Sequence, residues 1–88
     1  MLNKYQKRPV IITAIRFLPS TTTEDIRNAF EWAETAVDPF TYKDGCIYIP
    51  TLEGTMKANQ GDWIIRGIHD AFYPCKNAIF EATYLKVE

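Results

Sequence analysis

Phe40-Thr41-Tyr42-Lys43-Asp44-Gly45-Cys46-Ile47-Tyr48-Ile49-Pro50 decides the fold class. Two strand-type runs, Phe40 to Lys43 and Cys46 to Pro50, flank Asp44-Gly45, a pair that tolerates the positive φ angles a two-residue hairpin needs. The same punctuation recurs downstream. Leu52-Glu53-Gly54 predicts a second reversal into Thr55 to Ala58, and Asn59-Gln60-Gly61 a third, into a strand from Asp62 to Arg66. Gly67-Ile68-His69-Asp70 turns the chain into Ala71 to Pro74. Asn77 is expected to cap a short helical turn through Phe80 or Glu81, and Thr83 to Val87 to return to a sheet edge. Together these segments read as an antiparallel meander.

Upstream, Arg8 to Leu18 is dense in β-branched residues, which fit a pleated surface better than a helix. Ile11, Thr13, Ile15 and Phe17 would share one face, and Val10, Ile12, Ala14 and Arg16 the other. Both faces are largely apolar, so each needs a cover. Pro19-Ser20 ends this strand, and Thr21-Thr22-Thr23-Glu24 reads as a capping box in which a Thr takes an orphan amide and Glu24 reaches back. Ile26, Ala29, Phe30 and Ala33 then form one apolar stripe of a helix, with Arg27, Glu31 and Glu34 on its wet side. Trp32 lies off the stripe, either at the edge of the helix–sheet interface or in an aromatic contact surface. Asp38-Pro39 closes the helical region. The expected fold is α+β: one helix packed on a bent antiparallel sheet or a small, partly open β-barrel.

Eighty-eight residues with 47% hydrophobic content suffice for one modest core, with about 64% of the unfolded surface buried on folding. A single domain over residues 1–88 is expected. Ten Lys and Arg against eleven Asp and Glu remove the overall positive field expected of a duplex-DNA binder. Lys4, Lys7 and Arg8 make the start of the chain basic, a solvated end more readily than a nucleic-acid arm. Apolar runs such as Pro9 to Ile12 fall far short of a bilayer span. A soluble, cytoplasmic protein is the expectation.

No spacing amounts to a catalytic motif or a metal set. Cys46 and Cys75 are too few for a disulfide scaffold and are read as small buried hydrophobes. His69 and Cys75 flank a turn but form a bare pair, and Asp62 and Glu53 stand at the starts of neighbouring strands or turns, where Asp after Gly more readily accepts backbone amides. Gly61-Asp62-Trp63-Ile64-Ile65-Arg66-Gly67 lacks the Lys-Ser/Thr ending of a phosphate loop. Trp63, Arg66, Tyr73 and Lys76 are the candidate contact residues, through ring stacking and charge-assisted hydrogen bonds. Alternation puts Trp63 with Ile65 and Arg66 with Ile64, so the four cannot all share one flat surface; in the bland alternative Trp63 and Ile65 are core and Arg66 covers the rim. Tyr42, Tyr48 and Tyr73 suit a recognition face or an oligomer interface. No cofactor is expected.

Lys4-Tyr5-Gln6-Lys7-Arg8-Pro9-Val10, Ile49-Pro50-Thr51-Leu52-Glu53-Gly54, Gly61 to Gly67, Phe72-Tyr73-Pro74-Cys75-Lys76 and Ile79-Phe80-Glu81-Ala82-Thr83-Tyr84 together resemble a family of small proteins from tailed bacteriophages and prophages. The likeness runs over nearly the whole chain and is weakest in the helix. At His69-Asp70-Ala71 the chain departs from the family's more usual Gly- or Glu-containing turn. The family has no assigned catalytic residues, so the resemblance implies context: action in the cytoplasm of an infected bacterium. In that setting the expected role is a non-catalytic binding protein whose partner is a host protein or a small nucleotide-like defence signal, with self-association into a homo-oligomer. A virion or assembly component is the alternative, and a small hydrolase a more distant one.

Overall fold

The computed structural model describes residues 2–33 and 35–87. Its strands are β1 (Thr13–Arg16), β2 (Thr41–Lys43), β3 (Cys46–Thr51), β4 (Gly54–Ala58), β5 (Trp63–Arg66) and β6 (Phe72–Cys75), and its helices are α1 (Thr23–Ala29) and α2 (Asn77–Thr83). A short 3₁₀ turn, Ile68–Asp70, links β5 to β6. The α+β class holds, but the single sheet does not: the strands form two antiparallel three-stranded sheets, β1-β5-β6 and β2-β3-β4, neither closed into a barrel.

The hairpin at Asp44-Gly45 forms as its sequence demands, with φ of +53° and +73° at the two turn residues. Leu52 and Glu53 reverse the chain from β3 into β4, with Thr51 opposite Gly54. The meander stops there. After the Asn59-Gln60-Gly61 turn the chain leaves β4, and β5 pairs instead with β1 and β6. Asp62 fixes this crossing: its buried carboxylate accepts from the Asn59 amide at 2.9 Å, while Phe17 and the turn exchange backbone bonds, Phe17 N to Asp62 O at 2.8 Å and Gly61 N to Phe17 O at 2.6 Å.

Register sorts the first sheet cleanly. Thr13, Ile15, Ile64, Arg66, Phe72 and Pro74 share one face; Ala14, Arg16, Trp63, Ile65, Tyr73 and Cys75 share the other. The first face meets the main core of Phe17, Ile26, Phe30, Phe40, Ile47, Ile49, Ala58 and Ile64, supplied by α1 and the second sheet. α2 lies over the second face. The two apolar faces of the β1 stretch are thus both covered, but ladder pairing begins only at Thr13, and residues Arg8 to Ile12 of the expected strand run unpaired.

Helix α1 starts one residue later than its sequence suggested. Thr22 is the N-cap, with Asp25 N donating to Thr22 Oγ1 at 3.0 Å and Thr22 N to Asp25 Oδ2 at 2.9 Å, so Asp25 and not Glu24 completes the box. Its stripe also ends early. Glu31 adopts φ +56° directly after Phe30, which stops the helix and folds Trp32 back against Phe30, Phe40 and Phe72 with ring centroids 5.4–5.7 Å apart. Phe72 also meets Phe30 and Phe40 edge-on. Trp32 therefore sits at the helix–sheet boundary, Ala33 is exposed, and Glu34 lies outside the described residues.

Candidate binding surface

The second face of the β1-β5-β6 sheet carries the site, because α2 projects aromatic rings onto it. Asn77, Phe80 and Tyr84 recur at i, i+3 and i+7 and so face the sheet together. Phe80 stacks on Trp63 with centroids 3.9 Å apart and planes 6° from parallel, and Tyr84 leans on Phe80 at 5.0 Å. Trp63 Nε1 donates to Asn77 Oδ1 at 2.9 Å. Asn77 was expected to cap the helix; Lys76 occupies the cap position without a side-chain bond, and the Asn77 side chain satisfies the half-buried indole instead. The Tyr73 and Tyr84 hydroxyls lie 3.4 Å apart. Burial, the Tyr84 hydroxyl and the nearby Cys75 push the Tyr73 phenol up to about 12.

Two grooves open between residues 7–12 and the segment that follows α2. One, of about 620 Å³, has Ala14, Trp63 and Phe80 in its lining and runs between Val10–Ile12 and Tyr84–Val87. The other, of about 490 Å³, lies among Lys7, Arg8, Gly67, Ile68 and Tyr73. Val10, Ile12 and Tyr84 line both, so they form the ridge between them. Lys7 Nζ stands 6.0 Å from the centre of the Tyr84 ring. Among the described residues the charged side chains in these linings are Lys7, Arg8 and Lys86, with no carboxylate beside them.

Of the four candidate contact residues, the fold brings two together. Trp63 and Tyr73 share the α2 face and line one groove each. Arg66 lies on the opposite face, donating through Nη1 to the Phe30 carbonyl at 2.8 Å and through Nη2 to Thr13 Oγ1 at 3.4 Å, with its guanidinium 5.9 Å from the Phe30 ring centre. Lys76 sits beyond the end of β6 with its ammonium 3.2 Å from Asp62 Oδ2. Phe80, Tyr84 and Lys7 complete the surface instead. The i, i+4 spacing of Phe80 and Tyr84 was the available signal, hidden by reading Thr83 to Val87 as a strand; that segment is neither helix nor strand from Tyr84 to Val87.

The weaker catalytic pairs come apart. Glu53 is exposed in the turn before β4 and Asp62 buried in the turn after it, so the five residues of β4 lie between them. His69 is exposed in the turn before β6 and Cys75 half-buried at the far end of that strand. Burial, with Asp62 nearby, pushes the Cys75 thiol up, away from a reactive thiolate. Cys46, on β3, lies 3.5 Å from Asn59 Oδ1; both cysteines are free and half-buried rather than fully enclosed. Among the described residues no group of three His, Cys, Asp or Glu is placed to hold a metal ion, and no helix is long and apolar enough to cross a membrane. No protein-family model, curated protein or solved structure matches the chain.

Proposed function

We propose that this is a non-catalytic binding protein that holds a small, anionic, ring-bearing ligand of nucleotide type in the groove floored by Trp63 and Phe80. One observation carries the reading: an aromatic floor between two adjoining grooves whose charged lining residues, Lys86 in the first and Lys7 and Arg8 in the second, are all basic. A planar ring can extend the Trp63–Phe80 stack or lie on Tyr84, while phosphate or carboxylate meets the lysines and arginine. The chain's near-zero net charge gives no general attraction to duplex nucleic acid, so the selectivity would be local. In the phage setting that the sequence resembles, such a protein would act in the cytoplasm of the infected bacterium by sequestering a nucleotide-like defence signal; a host protein is the other partner of that setting.

Native mass spectrometry of protein purified from bacterial cytosol, with tryptophan quenching by added nucleoside phosphates, tests the proposal. A retained small molecule, or saturable quenching weakened about tenfold by Phe80→Ala or Lys86→Glu, is expected. Neither retention nor quenching at millimolar nucleotide would overturn it. Exposed Leu2, Val10, Ile11, Leu85 and Val87 favour a second reading, an oligomer-forming virion or assembly component, for which presence in purified particles is the deciding observation.

A further inference from the structure

Residues 2–11 form an arm in which every residue is exposed, including Leu2, Tyr5, Val10 and Ile11. Its sequence is strand-type towards β1, yet among the described residues it makes no hydrogen bond and joins no ladder. The molecule measures 47 × 26 × 25 Å with a radius of gyration of 14.2 Å, against about 12 Å for a compact chain of this length. Residues 7–11 wall the two ligand grooves, so the part of the arm that leaves the body is residues 2–6. The arm also separates charge. It holds Lys4, Lys7 and Arg8 and no acidic residue, which leaves seven basic against eleven acidic residues in the rest of the chain.

A surface of matching chemistry lies where the two sheets meet. A groove of about 750 Å³ runs between the β3–β4 turn and the outer edge of β6, lined by Leu52, Glu53, Met56, Ile68, Asp70 and Phe72 among others. Leu52, Met56 and Ile68 are exposed there, at 103%, 40% and 59%. The formally charged side chains in its lining, Glu53 and Asp70, are both acidic; Asp70 Oδ1 stands 3.9 Å from Arg66 Nε, which leaves Glu53 as the carboxylate open to a second chain. Its β6 wall is a sheet edge, the kind of surface that accepts an added extended segment.

We infer that this groove receives the N-terminal arm of a second copy of the chain, so that two protomers exchange arms about a two-fold axis. Apolar Leu2 and Tyr5 meet Leu52 and Met56, while Lys4 meets Glu53. Reciprocal exchange closes the assembly at two chains and uses both arms. The inference is independent of the ligand reading, since Leu2, Lys4, Tyr5, Leu52 and Glu53 line neither ligand groove.

Sedimentation velocity and light scattering of the full chain across concentration supply the test. The expected result is a monomer–dimer equilibrium whose Kd rises severalfold between 50 and 500 mM salt, and rises at least about tenfold in Lys4→Glu/Tyr5→Ser and, separately, in Leu52→Asp. Both sites are exposed, and circular dichroism checks that each variant folds. In a Cys46→Ser, Cys75→Ser background, a Tyr5→Cys, Leu52→Cys pair is expected to oxidise into covalent dimers. A wild-type chain that stays monomeric at 200 µM, a dimer indifferent to both surface variants, or a disulfide that closes within one chain would each overturn the inference.

Discussion

The Arg66 guanidinium donates to the carbonyl of Phe30 at 2.8 Å, tying the C-cap residue of α1 to a strand 36 positions later in the chain. The same side chain reaches Thr13 on β1 and approaches the Phe30 ring, so one cation joins α1, β1 and β5. Its role is architectural.

Arg66→Ala is therefore expected to lower stability by about 2 kcal/mol, the range of a hydrogen bond to a charged group. Arg66→Lys should recover only part of that, because an ammonium lacks the fork that serves two acceptors. Urea unfolding followed by circular dichroism measures both. Nucleotide quenching of Trp63 should survive each substitution, since Arg66 faces away from the aromatic groove.

Phe80→Ala removes a ring stacked on Trp63 at 3.9 Å. A cost of about 2 kcal/mol is expected, below that of a fully enclosed phenylalanine because Phe80 is only half-buried. In a Trp32→Phe background, Trp63 emission should shift to the red as its indole becomes wet. Unchanged emission would show that the stack does not shield the indole.

Asp62 and Lys76 are joined by one ion pair but should respond unequally. The Asp62 side chain is 8% exposed and also accepts the Asn59 amide, whereas that of Lys76 is 61% exposed. Asp62→Ala, which leaves a turn amide unpaired, is expected to cost about 2 kcal/mol, and Lys76→Ala less than about 1 kcal/mol. Asp62→Asn should fall between them. Equal losses at the two positions, read from urea midpoints, would contradict this assignment.

Tyr73 provides a pH signature. Its folded-state phenol sits near 12 rather than 10.0, chiefly through burial, so the folded state keeps a proton that the unfolded chain releases first. Its contribution to stability is present below pH 10 and is lost as pH rises through 12. Absorbance at 295 nm should show this late titration in Tyr42→Phe protein, which removes the other phenol raised by burial and by its hydrogen bond to Asp38. Gly67→Ala should disturb it, because the new Cβ would stand 3.0 Å from Tyr73 Cε1 and 3.4 Å from its hydroxyl.

The sequence makes some elements legible because their causes are local. Asp44-Gly45 forces its turn, the threonines cap α1, and alternation from Thr13 to Phe17 divides the two faces correctly. What escaped it is long-range. Nothing near Ala58 announces that the next strand will abandon β4 for β1, and Arg66 resembles a ligand contact until Phe30 O is found beside it. The positive φ at Glu31, which ends α1 early, also has no glycine to mark it. On the site side, Trp63 and Tyr73 were visible as aromatics on alternating strands, but their companions Phe80 and Tyr84 depended on where a helix stopped.

The division into two sheets has a kinetic consequence. Each ladder of β2-β3-β4 closes across two residues, at Asp44-Gly45 and at Leu52-Glu53, whereas Thr13 must find Arg66 across a separation of 53. Chain closure over so long a span costs entropy before any contact repays it. The β2-β3-β4 hairpins should therefore form first, and pulse-labelled amides there should resist exchange before those of β1. Docking of β1 would then be the last step of folding, and release of its strand, with the arm attached, the first step of opening.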